Sequence, residues 1–239
     1  EEGGSYDYGR DLEVRAIFVD ENSEVPAGVQ ASRVITVTDS VMRKITGLDN
    51  SGGVGAVVEL DCPPPTVFKG MPGTEGGAGV AVKRLVALDG IQDPGNMGTL
   101  LRTAMALGWD GAFLLDGSCD MFNDKTVRAS RGASLRMPAA SGTWDDLAKV
   151  AEANGLACYG ADSGPRPGQS IPLNELASSA DLSGVCLVLG NEGHGLSAGA
   201  ADLCRPVTIP MPGAMESLNV GVAGGIMMYA LSPRGDTEG

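Results

Sequence analysis

From Lys83 onward, short apolar stretches alternate with helix-like stretches, and this alternation limits the fold more than any other feature of the chain. Strands are expected over 85–88, 111–115, 156–159, 185–189 and 207–209. Helices are expected over 97–107, 124–133, 144–153 and 218–231, with Gly108 and Gly155 at C-cap positions. Apolar strands separated by helices imply an α/β domain with a mostly parallel sheet covered on both faces. In such a sheet the loops leaving the carboxyl ends of the strands build the ligand site.

The first part of the chain reads differently. Residues 1–11 are polar and glycine-rich and are expected to fray. Strands over 14–19, 34–38 and 55–60 surround a short helix over 41–45, opened by Asp39 or Ser40 and closed by Gly47. These elements make 1–62 a small α+β unit, marginal in size for folding alone. Residues 63–82, with Pro63, Pro64 and Pro65 and then a glycine-rich run to Gly79, read as a linker. The remaining residues, 83–239, form the α/β domain.

Composition removes several function classes. The single histidine, His194, rules out histidine-rich metal sites, and no Cys-plus-His zinc spacing is present, so no metal is expected. No G-x-S-x-G elbow accompanies His194, which argues against a Ser-His-Asp hydrolase. The five cysteines are widely spaced and form no C-x-x-C pair, as in a reducing, intracellular compartment. No apolar run is long enough for a membrane span. The first residue is not Met and no secretory signal precedes the first strand, as in a processed or trimmed form. The net charge of −13 argues against nucleic acid when taken alone. Its distribution points the other way: Lys125, Arg128, Arg131 and Arg136 stand in a stretch without acids, and the first three follow helical spacing. That stripe is either an RNA-binding surface or an ordinary solvated face.

Three glycine-bearing segments fall where strands give way to loops. Asp93-Pro94-Gly95-Asn96-Met97-Gly98 runs on to Arg102, and Asn96 stands at an expected N-cap. The planar fork of Arg102 suits a phosphate or a carboxylate. Leu189-Gly190-Asn191-Glu192-Gly193-His194-Gly195 follows an apolar strand. Its G-x-G-x-x-A spacing matches a dinucleotide fingerprint, but the following stretch is too short for the helix that fingerprint requires, and Glu192 places a negative charge at the proposed phosphate. Ile209-Pro210-Met211-Pro212-Gly213 leads to Ser217-Leu218-Asn219, where Ser217 is an alternative N-cap. The helix behind is apolar on nearly every side and is expected in the core or in a subunit contact.

In type and order these segments resemble the SpoU (TrmH-like) branch of the SPOUT family, RNA ribose 2′-O-methyltransferases that use S-adenosylmethionine. The resemblance covers about 83–232. It rests on Asn96, Gly98 and Arg102, on Gly190, Glu192 and Gly195, and on Ile209, Pro210, Met211, Gly213, Ser217, Leu218 and Asn219. Segments 109–115 and 128–134 resemble plant and algal members, which implies a chloroplast or mitochondrial enzyme, or else a cytoplasmic one. Residues 12–61 resemble the latter part of the family's ribosomal-protein-like substrate-binding domain. The resemblance implies a SPOUT domain with a C-terminal trefoil knot, a homodimer, and RNA (rRNA or tRNA) as substrate. It assigns cofactor binding to Leu189, Gly190, Ile209, Met211 and Leu218, and catalysis to Arg102, Asn96, Glu192, Ser217 and Asn219. Gly221 stands where a serine is common in the family. Arg102 acts as a base in one version of the mechanism. In the other, favoured because a guanidinium has a pKa above about 12, it stays charged and holds an RNA phosphate. Three alternatives remain open: a non-catalytic RNA-binding or assembly protein on the same fold, a nicotinamide dehydrogenase, and a SPOUT enzyme acting on a base nitrogen.

Overall fold

In a computed structural model of the chain, the described residues are 12–49, 53–162, 170–179, 182–190 and 197–232. The chain divides into two compact units, one over 9–63 and a larger one from Pro64 onward.

In the small unit, β1 (Val14–Asp20) is the central strand, parallel to β2 (Arg33–Val37) and antiparallel to β3 (Ala56–Leu60). Helix α1 (Asp39–Thr46) follows β2 and ends at Gly47, whose φ of 63° is the left-handed cap conformation. Alternation along β1 buries Ile17 and Val19, and Met42 of α1 is buried with them.

The larger unit contains, in chain order, β4 (Arg84–Asp89), α2 (Pro94–Ala106), β5 (Gly111–Leu114), α3 (Asp124–Ser130), α4 (Ala133–Arg136), β6 (Ala139–Ser141), α5 (Trp144–Asn154), β7 (Ala157–Ala161), β8 (Ile171–Pro172), α6 (Leu173–Ser178), β9 (Val185–Gly190), α7 (Ala198–Leu203), β10 (Arg205–Thr208) and α8 (Val220–Leu231). Its strands form one seven-stranded sheet in the order β6-β5-β4-β9-β7-β10-β8, with every neighbouring pair parallel. All the carboxyl ends therefore lie on one edge.

Period-two alternation divides the strand residues between two cores. Val86, Leu88, Leu187 and Leu189 join Leu100, Leu101, Met227 and Met228 of α2 and α8 on one face. Leu85, Ala87, Cys186 and Val188 join Leu147 and Val150 of α5 on the other. Strands buried on both sides read as continuous apolar runs, which is why β4 and β9 were legible.

The segment read as a linker is docked. Phe68 is fully buried in the α5-side core, Thr66 donates its N–H to the Ala139 carbonyl at 2.7 Å, and Phe68 bridges to Val80. Its prolines and glycines shape a packed turn because an aromatic side chain anchors it.

The C-terminal helix is tied at its far end. Arg84, at the start of β4, is buried and donates from Nε to the Leu231 carbonyl at 2.8 Å and from Nη2 to the Leu182 carbonyl at 2.6 Å. Burial pushes its guanidinium pKa down, and the nearby Asp110 carboxylate partly offsets this. Trp109 donates its indole N–H to Ser232 Oγ at 3.1 Å.

Candidate active site

β4, β9 and β10 all end on the common carboxyl edge, and the segments that follow β4 and β10 are joined directly. Helix α2 starts earlier than the sequence suggested. Asp93 is its N-cap, accepting from the Asn96 N–H at 2.8 Å, with Pro94 in the first turn. Asn96 is therefore the third helical residue rather than the cap, which leaves its side chain available for a longer reach. Asn219 Nδ2 donates to Asn96 Oδ1 at 3.1 Å, across 123 positions of sequence. Asn219 in turn caps α8, its Oδ1 accepting from Gly221 N–H at 2.9 Å and Val222 N–H at 3.3 Å. The cap is thus Asn219 and not Ser217. Ser217 lies exposed in the approach to the helix and makes no side-chain hydrogen bond among the described residues.

Leu189 and Gly190 end β9 beside the same helix. A Cβ at Gly224 would come within 2.7 Å of Leu189 Cδ1, so α8 lies directly on that side chain. β7 pairs with β9 only as far as Gly160↔Val188, and no β7 residue pairs with Leu189 or Gly190. On that side the last two residues of β9 have no strand partner. Ile209 is partly buried against the core that holds Leu189, Met211 is half-buried, and Leu218 is exposed.

Arg102 lies on α2 four residues after Gly98, on the same face of the helix. Gly98 is required there by packing: a Cβ would meet Ala129 Cβ at 2.6 Å and the Thr126 carbonyl oxygen at 2.7 Å on α3. Arg102 is exposed and, among the described residues, makes no hydrogen bond or ion pair. Glu192, expected in the same site, lies with Asn191 and His194 outside the described residues.

The basic stripe changes shape. Helix α3 ends at Ser130, and Arg131 follows as its C-cap with φ 51° and ψ 41°, the left-handed conformation. Lys125 and Arg128 share the helix face, and Arg131 leaves it. All three are exposed, and Arg128 pairs with Asp124 at 2.6 Å. Arg102, Lys125, Arg128, Arg131 and Arg136 still line α2 to α4 as exposed cations.

Among the described residues no cluster of His, Cys, Asp or Glu suits a metal ion, and no helix is long and apolar enough to cross a membrane. The sequence reading passed over Asp93 and Asp89. Asp89 is an acid ending a strand of buried residues, a signal visible in Leu88-Asp89-Gly90.

Residues 83–229 match the SpoU rRNA Methylase family. The chain belongs to that family. SpoU relatives include the 23S rRNA (guanosine(2553)-2'-O)-methyltransferase RlmP of Bacillus subtilis, 36% identical over 62% of this chain and 58% of that protein. An uncharacterized tRNA/rRNA methyltransferase of Synechocystis is 32% identical over 81% of this chain and 65% of its own length. The chain thus spans less than two thirds of these curated relatives. Among solved structures, the AdoMet-bound rRNA methyltransferase from Sinorhizobium meliloti superposes with a TM-score of 0.74 at 26% identity, covering 94% of this chain and 81% of that one. An RNA methyltransferase of the TrmH family from Porphyromonas gingivalis, itself described as a putative one, gives 0.70 at 28% identity over 92% and 83%. The SpoU fold explains why three strands distant in sequence, β4, β9 and β10, end on one sheet edge.

Proposed function

We propose that this chain transfers a methyl group from S-adenosylmethionine to a ribose 2′-hydroxyl in structured RNA, rRNA or tRNA. The observation that carries the reading is the Asn96–Asn219 hydrogen bond. It joins the first and third motif loops beside the end of β9, on the helix that presents Arg102.

The residues present fit the cofactor. Gly190 adds no side chain at the strand end, and Leu189 and Gly190 outrun β7, so backbone groups face the region entered by the loop after β10. Leu189, Gly190, Ile209, Met211 and Leu218 would hold S-adenosylmethionine, which supplies an electrophilic methyl on a sulfonium. Arg102, charged and exposed, binds a phosphate next to the target ribose and favours loss of the hydroxyl proton electrostatically. Asn96 and Asn219 orient the ribose or Arg102, and Ser217 and Glu192 belong to the same assignment. Lys125, Arg128 and Arg131 take RNA phosphates farther along, and the small unit (1–62) takes part in RNA capture. Much of the rate comes from holding donor and acceptor in line.

A homodimer is part of the reading. Val222, Ile226 and Tyr229 recur along one side of α8 and are 53%, 41% and 76% exposed, with Leu218 and Met215 continuing the apolar surface. A second copy of the chain would cover it. The knotted path of the C-terminal segment is likewise proposed, supported by the packing of α8 on α2 and β9. A plastid or mitochondrial address rests on the resemblance of 109–115 and 128–134 to plant and algal proteins.

The test is incubation with total RNA and labelled methyl donor, followed by mapping of the label. A 2′-O-methylribose supports the reading, and a methylated base overturns it. Failure to bind S-adenosylmethionine in calorimetry would leave the non-catalytic RNA-binding alternative. Arg102→Ala should keep cofactor affinity and lose methylation; normal turnover refutes its role.

A further inference from the structure

We propose that Gly221 is a positioning residue for methyl transfer, its missing side chain being what lets the Asn96 and Asn219 carboxamides meet; this rests on the site reading above. Helix α8 carries three glycines, Gly221, Gly224 and Gly225, although glycine is among the poorest residues for a helix. None of the three has positive φ, so backbone conformation does not call for them. A Cβ at Gly224 would meet the core side chains Leu100 and Leu189, and a Cβ at Gly225 only Thr103 Cγ2 at 3.8 Å. Gly221 alone of the three faces polar atoms of the candidate site. A Cβ there would lie 3.1 Å from Asn219 Oδ1, 3.2 Å from Asn96 Oδ1 and 3.4 Å from Thr99 Cγ2.

Each of these neighbours is engaged in a bond. Asn219 Oδ1 caps α8, accepting from the Gly221 and Val222 N–H groups. Thr99 donates its hydroxyl to the Gly95 carbonyl at 2.8 Å, so its methyl rotates away only if that bond breaks. Asn96 Oδ1 accepts from Asn219 Nδ2 at 3.1 Å. A side chain at 221 forces a retreat of a few tenths of an ångström. Retreat of Asn96 moves the acceptor of the Asn96–Asn219 bond, and retreat of Asn219 moves its donor, so the link is disturbed whichever oxygen gives way. Asn96 stands in the first turn of the helix that presents Arg102, and Asn219 is the cap of α8. The disturbance therefore falls on the residues assigned to orient the ribose, while Gly221 itself has no atom that acts on substrate.

Alanine supplies the Cβ and little else, which separates activity from stability. On total RNA at saturating S-adenosylmethionine, Gly221→Ala should turn over about tenfold more slowly, because small misplacements of a positioning group are costly to rate. Its urea midpoint should stay level or rise, because alanine favours the helix. Its Kd for S-adenosylmethionine should stay within about twofold of the parent chain, since an orienting contact and not cofactor binding is lost. Gly221→Ser brings the same Cβ with a hydroxyl that donates to Asn96 Oδ1, and should slow by no more than about threefold. In protein labelled with 15N at asparagine, the Asn219 Nδ2 signals, identified by their loss in Asn219→Ser, should shift in Gly221→Ala. Signals that stay in place, parent turnover in Gly221→Ala, or a serine variant slower than the alanine one overturns the role of Gly221 while the site stands. So does a loss of turnover accompanied by a lower urea midpoint or weaker cofactor binding. A parent chain that forms no 2′-O-methylribose in RNA overturns the site and this inference together.

Discussion

Two adjacent glycines in α8 should respond to the same substitution with opposite sign. Gly224 faces inward: an added Cβ would overlap Leu100 Cδ2 and come within 2.7 Å of Leu189 Cδ1. Apolar carbons rest at about 3.5–4.0 Å, so a neighbour must retreat by roughly 1 Å. Leu100 and Leu189 are both fully buried, so either must give way within a packed core. Overpacking of that kind costs about 1–3 kcal/mol. Alanine returns about 1 kcal/mol in helix propensity. Gly224→Ala should therefore come out destabilised by about 0–2 kcal/mol. At Gly225 the nearest atom is Thr103 Cγ2 at 3.8 Å, an ordinary contact. There only the propensity gain acts, so Gly225→Ala should stabilise by about 1 kcal/mol. Equilibrium urea unfolding reads both, and equal m-values show that the midpoint difference is one of stability. Gly224→Ala should also weaken S-adenosylmethionine binding, because Leu189 leads into Gly190. Midpoints that move in the same direction, or a Gly224→Ala protein more stable than Gly225→Ala, would refute the close seating of α8 on α2 and β9.

Three further expectations follow from single contacts. Asn219→Ala should lose about 1 kcal/mol with the α8 cap, whereas Asn219→Ser keeps a capping oxygen and most of that stability. Both should abolish methylation, and a normally active serine variant would remove the Asn96–Asn219 link from the chemistry. Arg131→Gly should raise stability by about 1 kcal/mol by relieving left-handed backbone, yet reduce RNA affinity and flatten its salt dependence. An unchanged salt slope in Arg131→Gly and in charge reversals at Arg128 and Arg131 returns this surface to an ordinary solvated face. Iodoacetamide at pH 8 should label the exposed Cys62 and spare Cys204, whose thiol is pushed up to about 12 mainly by burial and further by Cys158 and Asp89. Mass spectrometry finding Cys204 modified first would contradict that environment.

The central sheet was legible because its strands are buried on both faces. Val185–Gly190 is a continuous apolar run, as is Leu85–Leu88 within β4, and neither is long enough to show a helix period. The short elements were not legible. β6 is Ala139–Ser141, three small residues at a sheet edge, and α6 is the six-residue Leu173–Ser178; neither is long enough to show a period. Helix boundaries failed where two caps competed. Asp93 took the cap read for Asn96, and Asn219 took the one considered for Ser217. The stripe at 125–131 broke because the turn at Arg131 precedes Gly132, and nothing in an arginine announces positive φ. Phe68 shows the reverse case, one buried aromatic converting a Pro/Gly stretch into docked chain. For the candidate site, the residue types singled out Asn96 and Asn219 separately, but the contact between them needed the fold to become visible.

The chain's two tryptophans stand at different places in the larger unit, which makes their emission a pair of local gauges. Trp109 is fully buried and bonded to Ser232, the residue just after α8, so its fluorescence should change when the tail leaves its seat. Trp144 lies against Gly199 of α7, where a Cβ would come within 2.5 Å of the indole. With Trp144 replaced by phenylalanine, the remaining signal follows withdrawal of the C-terminus alone. Stopped-flow traces of the two single-tryptophan proteins would then time the tail's departure separately from the loosening of α7.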